Sequence, residues 1–327
     1  MGGIAFVFPG QGSQYVGMGR GLAESSQAAA RVFADVDAAL GQRLSELTWS
    51  GDPAELDLTA NAQPALLATS VAYLRALAER RAAAGLPSIP PAFFAGHSMG
   101  QYSAMVAADV LDLADGARLV RERGRLMQAS GRGREGAMAA IIGLDDARLP
   151  ELVAVASSAG MFTVANRNSP GQVVVSGERV AIDAAVAAAK GLGARRAVVL
   201  PVSVAAHSPL MAEAAVGMRE ALASVAFSDP SAPLLANADA HLLTTGTACR
   251  NELVEHLTTG VDWIRSVETM TAAGVTTFIE VGPGRVLTGL VKRIAPAAAA
   301  IPLDEADSPG RLADLPTDLA ARPAPAA

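Results

Sequence analysis

The chain has 327 residues, 51% of them hydrophobic, which is enough for a folded enzyme with a sizeable core and for a second domain. Its 26 basic and 32 acidic residues give a formal net charge of −6, which argues against nucleic acid as the main partner. The single cysteine, Cys249, excludes an internal disulfide and indicates a reducing, cytoplasmic setting. The apolar run at the N-terminus is too short for a signal peptide or a membrane span.

The first segments favour an α/β fold. Residues 2–8 are an apolar run that predicts a buried strand, and a glycine-rich loop leads from it to a helix near residues 22–40. Apolar residues recur at helical spacing over 63–85, and this predicted helix ends in a basic turn followed by a glycine. A short buried strand at 92–95 then runs into the sequence GHSMG.

The middle of the chain has a different order of predicted strands and helices. From residue 137 to residue 201 the predicted order is strand, helix, strand, strand, helix, strand, as in ferredoxin-like units. We therefore predict a small ferredoxin-like domain at 130–199, inserted into a larger α/β domain formed by 1–129 and 200–303, with the site in the cleft between them. The segment 304–327 is rich in Pro, Ala and Asp, and we expect it to be a mobile tail.

The segment Gly96-His97-Ser98-Met99-Gly100 fits the Gly-x-Ser-x-Gly nucleophile elbow. This strand-to-helix turn needs glycines on both sides of a serine in a strained conformation, and it exposes the hydroxyl at a helix N-terminus. A chance match is the alternative, because short patterns of small residues recur often. The apolar strand before the motif and the helical stretch after it favour a nucleophilic Ser98.

A serine nucleophile needs a base, and the chain contains four histidines. His97 is adjacent to Ser98 and cannot easily swing back onto it. His207 follows a predicted strand and precedes a helix start, so it lies in a loop where catalytic groups collect, and we predict it to be the base. His241 and His256 have polar neighbours and are predicted to be surface residues.

Arg123 indicates the class of substrate. On the helix predicted after Asp112, Arg123 falls in the middle of the apolar face, whereas Arg118, Arg121 and Arg125 project to the opposite side. A buried guanidinium needs an anionic partner, which is either an internal carboxylate or a carboxylate of the substrate. We favour the substrate, because this helix is expected to pack behind the elbow.

Seven motifs are spread along the chain. They are PGQGSQ at 9–14, QPAL at 63–66, GHSMG at 96–100, RGRLMQ at 123–128, NSPGQVV at 168–174, VSVAAHS at 202–208 and EVGPGRVLTGL at 280–290. Together they resemble the malonyl-CoA:acyl-carrier-protein transacylases and the related acyltransferase domains of polyketide synthases. The resemblance covers nearly the whole chain to about residue 300. It implies an α/β-hydrolase-like large domain with a ferredoxin-like insertion.

The resemblance also implies roles for matching residues. Ser98 would take the acyl group, and His207 would act as base and then as acid. Arg123 would hold the free malonyl carboxylate. The backbone N–H groups of Gln11 and Met99 would form an oxyanion hole for the charge that develops on the thioester oxygen.

Three further residues are implied on the same grounds. Gln63 lies where the family has a polar residue near the oxyanion hole, and Ala206 borders the side of the acyl pocket that accepts or rejects a branch. The backbone carbonyl of Asp262 would orient His207 in place of a triad acid.

The chain departs from the family pattern at two places. They are Gln101, where the family commonly has Glu, and the sequence VAAH ending at His207, which matches neither usual polyketide signature. The exact extender unit therefore stays open.

The expected reaction is a ping-pong transfer from malonyl-CoA, or a related acyl-CoA, to the phosphopantetheine thiol of an acyl carrier protein. It needs no metal or redox cofactor, since the coenzyme A thioester is a substrate. Neither a membrane nor a nucleic acid is expected as partner. Basic clusters at 190–196 and 292–293 either guide an acidic carrier or are ordinary surface charge, and both interpretations stay open. Fatty acid and polyketide pathways are equally compatible.

Two other functions are possible for such a chain. One is an acyl-carrier-protein thioesterase on the same scaffold, but a proofreading hydrolase has no need of Arg123 as a carboxylate clamp. The other is an inactive docking protein for carrier proteins, which the intact Ser98 and His207 argue against.

Overall fold

A computed structural model describes residues 2–130, 135–202, 204–305 and 308–313. The chain is a mixed α/β protein with two sheets, as expected for its class. The strands are β1 Gly3–Phe8, β2 Phe93–Gly96, β3 Gly136–Ile142, β4 Phe162–Ser169, β5 Gln172–Glu178, β6 Arg196–Val199, β7 Leu234–Leu235, β8 Leu242–Leu243, β9 Val261–Asp262, β10 Val275–Val281 and β11 Ala299–Leu303.

Helices surround both sheets in the described ranges. They are α1 Arg20–Ser25, α2 Gln27–Leu40, α3 Leu44–Ser50, α4 Pro53–Asp57, α5 Thr59–Ala83, α6 Gly100–Ala107, α7 Leu113–Ser130, α8 Leu149–Ser157, α9 Arg179–Ala189, α10 Ala212–Ala223, α11 Gly246–Glu255, α12 Trp263–Ala272, α13 Val286–Ile294 and α14 Ser308–Ala313, with 3₁₀ turns at Asp146–Arg148 and Pro209–Met211. None of the helices described is both long and apolar enough to cross a membrane.

The larger sheet has six strands in the order β11-β10-β1-β2-β7-β8. Its neighbouring strands pair in parallel, except β7 and β8, which are antiparallel. Side chains of β1 alternate between two cores, with Phe6 and Phe8 in one and Ala5 and Val7 in the other. This is the pattern of a central strand covered on both faces. Because β1 and β2 are parallel, the loops after Phe8 and after Gly96 leave from the same edge.

The second sheet has five strands in the order β6-β3-β5-β4-β9. The chain passes through β3, α8, β4, β5, α9 and β6, which confirms the strand and helix order predicted for 137–201. A fifth strand comes from outside that segment, because Asn166 on β4 pairs in parallel with Val261 on β9. This pairing joins the two parts of the molecule beside the elbow.

Two predictions about elements need correction. The helix predicted near 22–40 is divided at Ser26, whose extended backbone ends α1 and whose side chain accepts from Ala29 N–H to cap α2. The segment from 304 is not all tail, because α14 forms within it and packs on α5. Residues 314–327 of that predicted tail lie outside the described residues.

Candidate active site

The elbow is built by close backbone packing. A Cβ on Gly96 would lie 2.0 Å from the carbonyl carbon of Gly100, and a Cβ on Gly100 would lie 2.2 Å from the carbonyl oxygen of Phe8. Only glycine fits at either place. Between them Ser98 has φ 53, a left-handed conformation that L residues rarely adopt. The turn therefore presents the Ser98 hydroxyl at the edge of the sheet, as the motif predicted.

Ser98 and His207 are in direct contact. The Ser98 hydroxyl lies 2.8 Å from Nε2 of His207, and Nδ1 of His207 lies 2.7 Å from the carbonyl oxygen of His256 and 3.0 Å from that of Thr259. Two carbonyl acceptors at Nδ1 require the proton on that nitrogen. Nε2 is then free to accept the serine proton, which is the tautomer that a general base needs.

The His207 ring is held neutral. Burial, and next the nearby positive charge of Arg123, lower the pKa of His207 to about 3. Burial also lowers the pKa of His256 well below its ordinary value, so the neighbouring ring adds no competing charge.

The structure corrects the two expectations about what surrounds the His207 ring. The carbonyl of Asp262 is not an acceptor for Nδ1 of His207; it accepts from the Ser266 hydroxyl at 3.1 Å at the start of α12. The carbonyls that accept from Nδ1 follow the C-terminus of α11, where a helix has carbonyls free to accept. His256 was predicted on the surface and is fully buried, whereas His241 is exposed as predicted.

Arg123 lies beside the nucleophile and is 1% exposed. Its Nη2 donates to the Ser98 hydroxyl at 3.3 Å and its Nη1 donates to Oε1 of Gln63 at 3.0 Å. Within the described part of the chain, no carboxylate forms an ion pair with Arg123, and its Nε has no hydrogen-bond partner. Burial lowers the pKa of Arg123 from its ordinary value. The internal-carboxylate alternative therefore finds no support among these residues.

The glycine at position 124 of α7 allows this arrangement. A Cβ on Gly124 would lie 2.6 Å from the carbonyl oxygen of Thr59, so glycine lets α7 approach the backbone of α5. That close crossing brings Arg123 of α7 against Gln63 of α5. The side-chain nitrogen of Gln63 contacts the sulfur of Met127 at 3.6 Å, which fixes the amide oxygen toward Arg123. Of the other α7 arginines, Arg118 and Arg125 are exposed as predicted, whereas Arg121 is half-buried and donates to Oδ1 of Asn61.

Gln11 and Met99 lie on adjoining loops. A Cβ on Gly10 would lie 2.7 Å from the carbonyl oxygen of His97, so the loop after β1 rests against the elbow. In the described ranges no protein acceptor takes the backbone N–H of Gln11 or Met99. Met99 directly precedes α6, where free N–H groups and the helix dipole favour negative charge. Both N–H groups therefore stay candidates for the oxyanion hole that the resemblance implies.

Several side chains support the elbow in ways that sequence reasoning did not predict. His97 Nε2 is 2.9 Å from Oδ1 of Asn168 on β4, which links the elbow to the second sheet. The Ser98 N–H donates to Oδ1 of Asn237 at 2.8 Å. Asn168 opens one of the seven motifs, which is the signal that could have identified it, whereas no local pattern marks Asn237. Gln101 is buried and bonded to Gly96 N–H and to a carbonyl of β7, so it supports the turn.

A cavity of about 460 Å³ opens onto these groups between the two sheets. Its polar end holds Ser98, Arg123 and His207. Ala206 lines the wall next to His207. The remaining wall is largely apolar and includes Met127, Met138, Val174, Leu200, Val202, Val204, Val286, Leu287 and Leu290. A cavity with a few polar groups on a largely apolar wall is typical of a site for a small-molecule substrate.

Comparison with known proteins agrees with this geometry. The family model described as "Acyl transferase domain" matches residues 5–307. The malonyl CoA-acyl carrier protein transacylase of Escherichia coli (strain K12) is 47% identical over 302 residues, covering 92% of this chain and 96% of the relative. The transacylase of the same name from Bacillus subtilis (strain 168) is 44% identical over 295 residues, covering 90% and 91% respectively.

Solved structures give the same result. An acyl-carrier-protein-S-malonyltransferase from Bartonella henselae has a TM-score of 0.90 at 43% identity, covering 94% of this chain and 98% of its own. A malonyl-transacylase in complex with its type II PKS acyl-carrier protein has a TM-score of 0.89 at 40% identity, covering 95% and 98% respectively. The chain therefore belongs to the malonyl CoA-acyl carrier protein transacylase family of acyl transferases.

Proposed function

We propose that this protein transfers a malonyl group, or a substituted malonyl group, from coenzyme A to the phosphopantetheine thiol of an acyl carrier protein. The observation that carries the proposal is the buried Arg123 guanidinium, which has no carboxylate partner among the described residues and lies 3.3 Å from the Ser98 hydroxyl. A buried unpaired cation is costly unless a ligand neutralises it. The free carboxylate of a malonyl group attached to Ser98 does so.

The first half-reaction forms an ester on Ser98. Nε2 of His207 takes the hydroxyl proton as the serine oxygen attacks the thioester carbonyl carbon. The N–H groups of Gln11 and Met99 stabilise the oxyanion of the tetrahedral intermediate. When it collapses, the carbon–sulfur bond breaks and the coenzyme A thiolate takes the proton from His207.

The second half-reaction reverses these roles. The carrier thiol gives its proton to Nε2 of His207, and its sulfur attacks the ester carbonyl carbon. The carbon–oxygen bond to Ser98 breaks, and the serine oxygen recovers the proton. Both half-reactions use only these side chains, two backbone N–H groups and the two thioesters, so the proposal includes no metal or redox cofactor.

The thioesterase alternative is not supported by the relatives, which are named as transacylases and malonyltransferases. It differs from the proposed reaction in the fate of the acyl-enzyme. A hydrolase passes the acyl group to water, whereas a transacylase holds it for a thiol. Ser98 is half-buried, and the buried His207 and Arg123 beside it limit the access of water to the ester, which supports a long-lived acyl-enzyme.

The carrier is expected to meet the mouth of the cavity. Leu287 and Leu290 of α13 line the cavity, and Lys292 and Arg293 at the end of the same helix are exposed. This placement supports the interpretation of that basic cluster as a guide for an acidic carrier.

The finer description of the fold belongs to the same proposal. We assign 1–129 and 200–303 to an α/β-hydrolase-like domain and 130–199 to a ferredoxin-like insertion. The support is the antiparallel order β6-β3-β5-β4, with α8 and α9 as its crossovers. A cytoplasmic location is supported by the single cysteine of the chain.

The test is an intact-mass measurement after brief mixing with malonyl-CoA, acetyl-CoA or methylmalonyl-CoA. We expect one malonyl adduct, which disappears when a holo acyl carrier protein is added and then appears on the carrier. An adduct that decays equally fast without the carrier would indicate a hydrolase. No adduct with any of the three thioesters would contradict the proposed function.

A further inference from the structure

A chain of two hydrogen bonds connects a buried carboxylate to the backbone of Ser98. The Ser98 N–H donates to Oδ1 of Asn237 at 2.8 Å, and the Asn237 N–H donates to Oε1 of Glu252 at 2.7 Å. Asn237 is 2% exposed and Glu252 is 4% exposed, so bulk water competes for neither bond. Neither residue lines the cavity, and the reaction steps above use neither of them.

The backbone of Ser98 needs this acceptor because the elbow turns its N–H away from the sheet. The preceding N–H, of His97, still donates to the carbonyl of Phe8 on β1. At Ser98 the left-handed φ of 53 directs the N–H to a side chain instead. The bond to Asn237 thus stabilises the strained conformation that presents the hydroxyl to His207.

Asn237 is itself held from two sides. Its N–H donates to Glu252 of α11, and its carbonyl accepts from the Asp262 N–H at 2.7 Å. These two bonds fix the backbone of Asn237, from which its Oδ1 reaches Ser98, while its Nδ2 has no partner among the described residues. The position of Asn237 therefore depends on where α11 places the Glu252 carboxylate.

The same helix also serves the base. The carbonyls of His256 and Thr259, which accept from Nδ1 of His207, belong to the first and fourth residues after the C-terminus of α11. One short helix and its following turn therefore contact His207 directly and support Ser98 through Asn237. The buried Glu252 carboxylate thus supports the Ser98 backbone through Asn237, whereas the backbone carbonyls of His256 and Thr259 orient the His207 ring.

We propose that Asn237 and Glu252 are positioning residues for acyl transfer, with Asn237 holding the Ser98 backbone and Glu252 holding Asn237. The inference rests on the proposed function, since it takes Ser98 as the nucleophile. Both residues act on the geometry of attack and not on binding of the acyl-CoA. Their loss should therefore slow acylation and leave the KM for malonyl-CoA largely unchanged.

Glu252 is needed as a hydrogen-bond acceptor and not as a charge. Burial raises the pKa of Glu252, and the group it serves is a neutral N–H. A glutamine at this position keeps an oxygen acceptor of the same reach, whereas leucine has a similar volume and no acceptor. Glu252→Gln is therefore the conservative variant that should preserve activity.

The experiment measures the rate of malonyl-enzyme formation by rapid quench and mass spectrometry on the full chain. We expect Asn237→Ala and Glu252→Leu to slow acylation on the order of 10²-fold, and Glu252→Gln to stay near the unmodified rate. The matched control is Glu79→Ala. Glu79 also accepts a backbone N–H, from Ala28 at 3.0 Å, and lies about 24 Å along α5 from Gln63. That control should lose stability but keep its rate per folded molecule.

Three outcomes decide the proposal. An unchanged acylation rate per folded molecule in Asn237→Ala overturns it, while the proposed function stands if Ser98→Ala still forms no adduct. A Glu252→Gln variant as slow as Glu252→Leu overturns the role given to Glu252, because a charge would then matter. If Asn237→Ala does not fold, the Glu252 pair tests the same hydrogen-bond chain one bond further from the nucleophile.

Discussion

Ser98 and His207 both have left-handed backbones, with φ 53 and φ 58, and the Ser98 hydroxyl lies 2.8 Å from Nε2 of His207. Such conformations cost about 1–3 kcal/mol each in non-glycine residues. The elbow glycines and the Asn237 side chain hold the Ser98 backbone, and the carbonyls after α11 hold the His207 ring. Among the described non-glycine residues, Asp109 and Ala240 also have such backbones, and the other two are the residues that we propose as nucleophile and base.

The first prediction concerns Ser98→Ala. We expect no malonyl-enzyme, because the attacking oxygen is gone, and an unchanged fold, because Gly96 and Gly100 still form the turn. Intact-mass spectrometry and circular dichroism check the two parts. Any malonyl adduct on this variant would rule out Ser98 as the acyl acceptor.

The second prediction concerns His207→Ala. We expect transfer to slow by about 10²–10⁴-fold, which is the usual contribution of a general base. Steady-state transfer to a holo carrier measures the effect. A variant that keeps the full rate would mean that another group takes the serine proton.

The third prediction concerns Arg123→Ala. Removing the guanidinium leaves the malonyl carboxylate without a partner in a buried pocket, and bonds to charged groups contribute about 1.5–3 kcal/mol each. We therefore expect malonyl loading to fall about 10²-fold while acetyl loading falls much less. Competition between malonyl-CoA and acetyl-CoA measures the ratio. An equal loss for both substrates would make Arg123 a structural residue.

The fourth prediction concerns pH. Because the pKa of His207 is lowered to about 3, the ring stays a competent base well below the ordinary histidine range near 6.5. The acid limb of kcat/KM for malonyl-CoA should therefore lie well below pH 6.5. Since the positive charge of Arg123 contributes to the lowering, the limb should move to higher pH in Arg123→Ala. An acid limb near 6.5 in the unmodified protein would contradict both statements.

The free energy of unfolding should also depend on pH through His207. The unfolded chain takes up a proton on His207 below about 6.5, whereas the folded chain takes it up only near pH 3, so protons bind the unfolded state more strongly in that window. The contribution of His207 to the free energy of unfolding is thus complete above 6.5 and is lost as the pH falls toward 3. The lowered pKa of His256 acts in the same direction.

The fifth prediction concerns Ala206, which lines the cavity beside His207. A methyl side chain here leaves room next to the malonyl C2, and an apolar pocket rejects an extra methylene by only about 1–3 kcal/mol. We expect some loading of methylmalonyl-CoA by the unmodified protein and a sharper preference for malonyl-CoA in Ala206→Phe. Absence of branched loading in both proteins would place the selectivity elsewhere in the cavity.

Periodicity located most elements because the relevant signals are local. The strand before the elbow, the long helix α5 and the alternating elements of 137–201 all depend on apolar spacing within a few residues. Short strands such as β9 escaped detection, since two residues carry no period and pair only where the chain returns to β4. The break at Ser26 was missed because one cap residue interrupts an otherwise helical pattern.

The sequence by itself determined the family, the elbow, and the candidate roles of Ser98, His207 and Arg123, because motif spacing and the apolar face of one helix are properties of neighbouring residues. Only the tertiary structure decided what orients His207, why His256 is buried, and that Asn237 and Glu252 support the nucleophile. These contacts join positions up to 139 residues apart in the chain. No local pattern encodes such a distance, because it is fixed by how helices and strands pack in three dimensions.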